Sequence, residues 1–286
     1  MNYQCCEKMT ISSLSISLLE RFNNDELDSL VIEHSELLFK LYKTNMLFYK
    51  VIFKANKFNL AALIMSLSFT NESPSLSDVI DRFTPLNQMS KNSISNFFSL
   101  LVFTGRLKTY RNEEDARKVN FRTTDKLNNE AYQLINTMVA PITHKLQIKI
   151  PDLNVEIYLK HFFENFSKVV LENKFNFHSL PDVDIFINRD GGHAIILALY
   201  CSKKMQEPGK YQTPNVKEIA RWSGVSRSHI LGVLKDMKST GFADSGDIES
   251  EIILTDKFVK FTRDYFRLFF SFCIIGMKTF IEQSSE

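Results

Sequence analysis

The sequence predicts a mainly α-helical protein with small β-hairpin wings, built as two tandem winged helix-turn-helix units that form a pseudo-dimer. Three observations predict it. Residues 76–127 run helix, turn, helix, charged hairpin. Most of that pattern returns between Val216 and Phe258. Neither proline nor glycine occurs before Pro74, which leaves a long breaker-free lead suited to helices.

With 286 residues and 44% hydrophobic content, two domains are expected. Pro151 marks the cleanest boundary, giving 1–150 (core 59–146) and 151–286 (core 193–280). A net charge of only +2 provides no global basic field, so any nucleic-acid surface must be local. The four cysteines (Cys5, Cys6, Cys201, Cys273) form no CxxC pair, which argues against a zinc framework or disulfide scaffold and for a reducing, cytoplasmic setting. Glu7, Ser12, Ser13 and Ser15 do not suit a cleaved signal peptide. The most apolar run, Leu268 to Met277, is about half the roughly 18 residues of a membrane span, so no membrane partner is expected.

In order along the chain, Leu27, Leu30, Val31, Leu37, Leu38 and Leu41 predict a helix from about Asp25 to Phe58, and Asn59 to Phe69 predicts a second. A turn and cap at Asn71 to Ser75 lead into a short helix carrying Leu76, Val79, Ile80 and Phe83, stopped by Pro85. Ser90 caps the next helix, whose apolar positions Ile94, Phe97, Phe98, Leu101 and Val102 share one face. Gly105 ends it, and 106–110 and 119–122 read as hairpin strands. From Thr124 a helix carries Leu127, Ala131, Leu134, Ile135 and Met138 until Pro141 kinks or ends it. Leu153 to Phe177 is helical by period, 189–192 is a turn into a helix over His193 to Cys201, and 203–214 reads as a polar loop.

The second copy then overlays the first. Ser90 to Gly105 and Ser226 to Gly241 are equally spaced, Ile94, Phe97, Phe98 and Leu101 match Ile230, Val233, Leu234 and Met237, and Thr124-Asp125-Lys126 recurs as Thr255-Asp256-Lys257. Length differences fall in connections, as a duplication requires. The phenylalanine-rich stretch from Phe258 to Phe270 can pack within the chain or between chains.

A helix that reads base edges needs short hydrogen-bonding or cationic side chains in its first turns. Ser90, Lys91, Asn92, Ser93, Ser95 and Asn96 meet that need in the first copy, and Ser226, Arg227, Ser228 and His229 in the second. A serine cap and a polar outer face also suit any exposed helix, so the doubling carries the weight. The hairpins differ. From Arg106 to Arg122 there are six cations (Arg106, Lys108, Arg111, Arg117, Lys118, Arg122) against three anions, suited to phosphate contacts. From Phe242 to Leu254 there are four anions (Asp244, Asp247, Glu249, Glu251) and no cation.

Ser90 to Lys126, with Asn112-Glu113-Glu114-Asp115-Ala116-Arg117 placed ahead of Thr124-Asp125-Lys126, resembles the winged helix of MarR/SarA-type transcriptional regulators, whose wing signature is Asp-x-Arg before a strand and a threonine-led helix. The resemblance implies that Arg117 enters the minor groove, that Asp115 orients it, and that long terminal helices pair subunits. Ser226 through Thr255 resembles the same fold in its helices but lacks Asp-x-Arg. Two units in one chain are similar to the tandem SarA members, in which one polypeptide imitates a dimer. The expected partner is double-stranded DNA, with a small-molecule effector and a homodimer left open beside the monomeric pseudo-dimer. Plasmid replication initiators and winged-helix interaction modules are the alternatives. No HExxH, Walker loop, GxSxG or dinucleotide fingerprint occurs, and the six histidines show no i, i+4 pairing, so no enzyme activity, cofactor or metal is expected.

Overall fold

The computed structural model describes residues 22–53, 55–86, 89–112, 115, 117–171, 177–244 and 252–284. They are mainly helical, with a two-stranded and a three-stranded antiparallel sheet. Helix α1 (Asn24–Thr44) opens with a capping box, Asn23 and Glu26 each accepting the other's backbone N–H. It does not run on to Phe58 as the sequence suggested. Asn45 leaves helical geometry (φ −148, ψ 64) and its amide donates to Glu130 Oε1 at 3.0 Å, so α1 ends there and α2 (Met46–Ile52) begins anew, with α3 (Ala55–Thr70) after it.

Helix α4 (Leu76–Phe83) has its own Ser75/Asp78 capping box, and α5 (Lys91–Phe103) is capped by Ser90. Strands β1 (Leu107–Arg111) and β2 (Val119–Thr123) pair in register from Leu107↔Thr123 to Arg111↔Val119. Helix α6 (Asp125–Leu146) continues through Pro141, so of the two expected outcomes, a kink or an end, the proline does not end it. A proline there removes the N–H that would bond the Thr137 carbonyl one turn back. His34 Nδ1 supplies the missing donor at 2.8 Å. Tertiary structure thus satisfies the group that would otherwise break the helix.

The helices of the second half are α7 (Val155–Leu171), α8 (Asp184–Ile187), α9 (Gly192–Ser202), α10 (Val216–Ser223), α11 (Arg227–Ser239), α12 (Asp256–Gly276) and α13 (Lys278–Gln283). The helix expected over 153–177 is described from Val155 to Leu171, and 172–176 lie outside the described residues. The expected loop 203–214 is instead a hairpin of β3 (Lys204–Glu207) and β4 (Lys210–Thr213), turned at Pro208-Gly209 with Gly209 at φ 79, where only glycine is unstrained. Strand β5 (Ile252–Thr255) completes the sheet order β3-β4-β5. Among the described residues the first half holds a single bridge, Ser75↔Asn120, at the corresponding place.

Helix packing is reciprocal between the halves. Helix α1 packs on α6 of its own half and on α9 and α12 of the other; α7 packs on α12 of its own half and on α3 and α6 of the other. Helices α6 and α12 also meet. One continuous set of buried side chains therefore runs through both halves, and the aromatic residues Phe258, Phe261, Tyr265, Phe266, Phe269 and Phe270 of α12 are buried within this chain. A polar clamp ties α1 to α12: Arg263 donates twice to Asp28 (3.0 and 2.7 Å), and Tyr200 donates to the same carboxylate at 2.5 Å. Burial pushes the Asp28 carboxyl up, but those hydrogen bonds outweigh it and hold it below its ordinary value.

Candidate nucleic-acid interface

Helices α5 and α11 are held by the same hydrogen bonds. At each N-terminus a serine hydroxyl accepts the N–H three residues on: Ser90 from Ser93 and Ser226 from His229, both at 3.2 Å. At each C-terminus a glycine with positive φ, Gly105 (70) or Gly241 (74), turns the chain, and the next N–H closes on the helix: Arg106 to the Leu101 carbonyl and Phe242 to the Met237 carbonyl, both 2.8 Å. The recurring Thr-Asp-Lys run is a strap across this turn. Thr124 Oγ1 donates to the Gly105 carbonyl and Thr255 Oγ1 to that of Gly241 (2.9 and 2.7 Å). Lys126 Nζ reaches the Thr104 carbonyl and Lys257 Nζ that of Thr240 (2.9 and 2.6 Å), placing a cation at the negative end of each helix.

The candidate residues fall as follows. On α5, Ser90, Lys91, Asn92, Ser93 and Asn96 are exposed and Ser95 is half-buried. On α11, Ser226, Arg227 and Ser228 are exposed, but His229 is half-buried, with its Nε2 enclosed and without a hydrogen-bond partner among the described residues. His229 borders a cleft of about 230 Å³ formed with Tyr42, Lys50, Gly224 and Ser226. It therefore turns toward α1 and α2.

In the β1–β2 hairpin, Lys108, Arg111, Arg117, Lys118 and Arg122 are exposed, and none makes an ion pair among the described residues. Arg106 does not join them. It is 5% exposed, donates twice to Glu130 (both 2.7 Å) and stacks 3.8 Å from the Phe48 ring centre, so the hairpin offers five cations to a polyanion and not six. Asp115 shapes the turn: its Oδ1 accepts the Arg117 backbone N–H at 3.0 Å and its carbonyl accepts the Lys118 N–H at 2.9 Å. Its contact with Arg117 is thus to the backbone and not to the guanidinium. Glu113, Glu114 and Ala116 lie outside the described residues, as do Asp247, Glu249 and Glu251 of the second hairpin.

In the second half one of the two hairpin cations is paired. Lys210 pairs with Glu207 (2.9 Å) and Asp244 (3.6 Å), and the Glu207 hydrogen bond raises its pKa. No family model matches the chain, and no curated protein does. Arg189, which sequence reading passed over as part of a turn, pairs with Asp236 on α11, 47 residues away. No local pattern announces such a contact. The β3–β4 hairpin did carry a signal, the Pro208-Gly209 turn between two short runs, and it adds exposed Lys204 and Met205 beside the second unit.

Between the halves, a neutral hydrogen-bond chain borders an apolar cavity of about 110 Å³ lined by Leu38, Phe58, Met138 and Phe269. The Thr137 carbonyl only accepts, so His34 Nδ1 carries a proton and its Nε2 accepts from His193 Nε2 at 3.0 Å; Tyr265 then donates to His193 Nδ1 at 2.9 Å. Burial lowers the pKa of His34 to about 4 against the raising effect of the Thr137 carbonyl, and burial and the neighbouring His34 hold His193 well below its ordinary value. Burial raises both described thiols, Cys201 to about 11, which removes thiolate character. Cys5 and Cys6 lie outside the described residues. Among the described residues no cluster of three His, Cys, Asp or Glu could hold a metal ion, and no helix is long and apolar enough to cross a membrane.

Proposed function

We propose that the chain is a sequence-specific double-stranded DNA-binding transcriptional regulator, with two winged helix-turn-helix units arranged as a pseudo-dimer within one polypeptide. One observation carries this reading: two identically capped and strapped helices present polar first turns, and the first stands beside a hairpin with five exposed cations that make no ion pair among the described residues. Short hydroxyl and amide groups suit base edges, and unpaired cations suit phosphates. The reciprocal packing of α1, α6, α7 and α12 supports a pseudo-dimer, since each half lends its long first helix to the other.

In this function α5 and α11 enter the major groove, Lys108, Arg111 and Lys118 position the duplex through phosphates, and Arg117 extends to the minor groove. The transcriptional role rests on the Asp-x-Arg resemblance of the first hairpin. No catalysis or cofactor is part of the function, and the setting is the cytoplasm.

Fluorescence anisotropy on a random-sequence duplex tests it. The three phosphate contacts of Lys108, Arg111 and Lys118 lower affinity roughly 40-fold between about 50 and about 200 mM salt. Absence of binding at the lower salt would contradict the function, and salt-independent binding would remove the hairpin's role.

A further inference from the structure

The two reading helices differ on the face opposite their buried stripe. On α5 the core side is Ile94, Phe97, Phe98 and Leu101, and the positions diametrically opposite, given about 100° per residue, are Asn92, Asn96, Ser99 and Phe103. All four are exposed, Phe103 to 89%. On α11 the core side is Ile230, Val233, Leu234 and Met237, and the opposite positions are Ser228, Gly232, Lys235 and Ser239. The first stripe is two amides, a hydroxyl and an aromatic ring, with no charge. The second carries one cation, exposed Lys235, beside a position with no side chain at all. Arg189 lies against Gly232 but is held by Asp236, which leaves Lys235 as the cation of that face.

Base edges sort these stripes. Adenine offers an acceptor and a donor side by side in the major groove, matching both ends of a carboxamide; guanine offers two acceptors, matching an ammonium; thymine offers a methyl group to an apolar side chain. Asn92 and Asn96 stand one turn apart, about 6 Å, against a rise of about 3.4 Å per base pair, so they reach adenines about two base pairs apart. Phe103 continues the stripe by roughly 10 Å, toward the far side of a groove about 12 Å wide, where a thymine methyl removes part of its ring from water. His229 is turned toward Tyr42 and does not compete with Lys235 for a base.

We propose that α5 reads an adenine–thymine half-site through Asn92, Asn96 and Phe103, and that α11 reads a guanine-containing half-site through Lys235. This rests on the DNA-binding function proposed above. Selection of binding sites from random duplexes with the full chain tests it, together with Asn96→Ala and Lys235→Ala, whose exposed side chains make no packing contribution to lose. The expected result is two unlike half-sites about one helical turn, ~34 Å, apart. Asn96→Ala should lower discrimination for adenine in one half-site, and Lys235→Ala that for guanine in the other, each by about 5- to 100-fold. Unchanged melting temperatures confirm that the variants fold. A palindromic consensus, or variants that relax the opposite base class, would overturn this assignment while leaving DNA binding intact. No binding even at low salt would overturn both together.

Discussion

Arg106 and Arg117 are eleven residues apart in one basic segment, yet their surroundings give them different work. Arg106 is buried in a two-pronged ion pair with Glu130 beneath Phe48, whereas Arg117 is exposed with its backbone fixed by Asp115. Arg106→Ala leaves the half-buried Glu130 carboxylate with only the Asn45 amide and should cost about 1–3 kcal/mol of stability in denaturant titration. Arg117→Ala should leave stability unchanged and weaken DNA binding. The paired histidines give a pH signature. Unfolded histidine takes a proton near pH 6.5, but folded His34 resists protonation down to about 4. The unfolded state therefore binds more protons through that window, so stability is full above pH 6.5 and falls as pH drops toward 4. The loss from His34 alone is about 2 kcal/mol at pH 5. Denaturant midpoints at pH 7 and 5 read it, and a His34→Phe chain with an equal pH dependence would exclude the histidine as its source.

At the scale of elements, the second helix pair is clamped from the other half. Gly224 has φ +71, and a Cβ there would stand 2.1 Å from the Tyr42 hydroxyl oxygen. Gly224→Ala should destabilise by about 1–3 kcal/mol, and the cost should be less than additive with Tyr42→Ala, because the smaller residue removes the obstruction. Equal additive costs would show that α1 does not press on this turn. The elements also show which features the sequence could reveal. Ser90, Ser226, Gly105 and Gly241 were legible because caps and positive-φ turns act within a few residues. The break at Asn45 and the passage of α6 through Pro141 were not, since Glu130 and His34 decide them from 85 and 103 residues away. Of the candidate site, the exposure of α5 and of the hairpin cations followed the pattern; the burial of Arg106 and the inward turn of His229 depend on Phe48, Glu130 and Tyr42, which local periodicity does not place.

At the scale of the whole molecule, exchange of α1 and α7 joins the halves into one buried core. Chemical denaturation followed in each half should give one coincident transition, and residues 1–150 expressed alone should not unfold cooperatively, because α3 loses α7. Two separate transitions would mean that the exchange is energetically slight. On the proposed function, a single chain presents two different helices, α5 and α11, to one duplex. Footprinting of the full chain on a selected duplex at low salt, at measured stoichiometry, tests that claim most directly. The account predicts that one chain protects two unlike stretches about one helical turn apart, ~34 Å. Absence of protection, or two chains each covering one identical stretch, would contradict it.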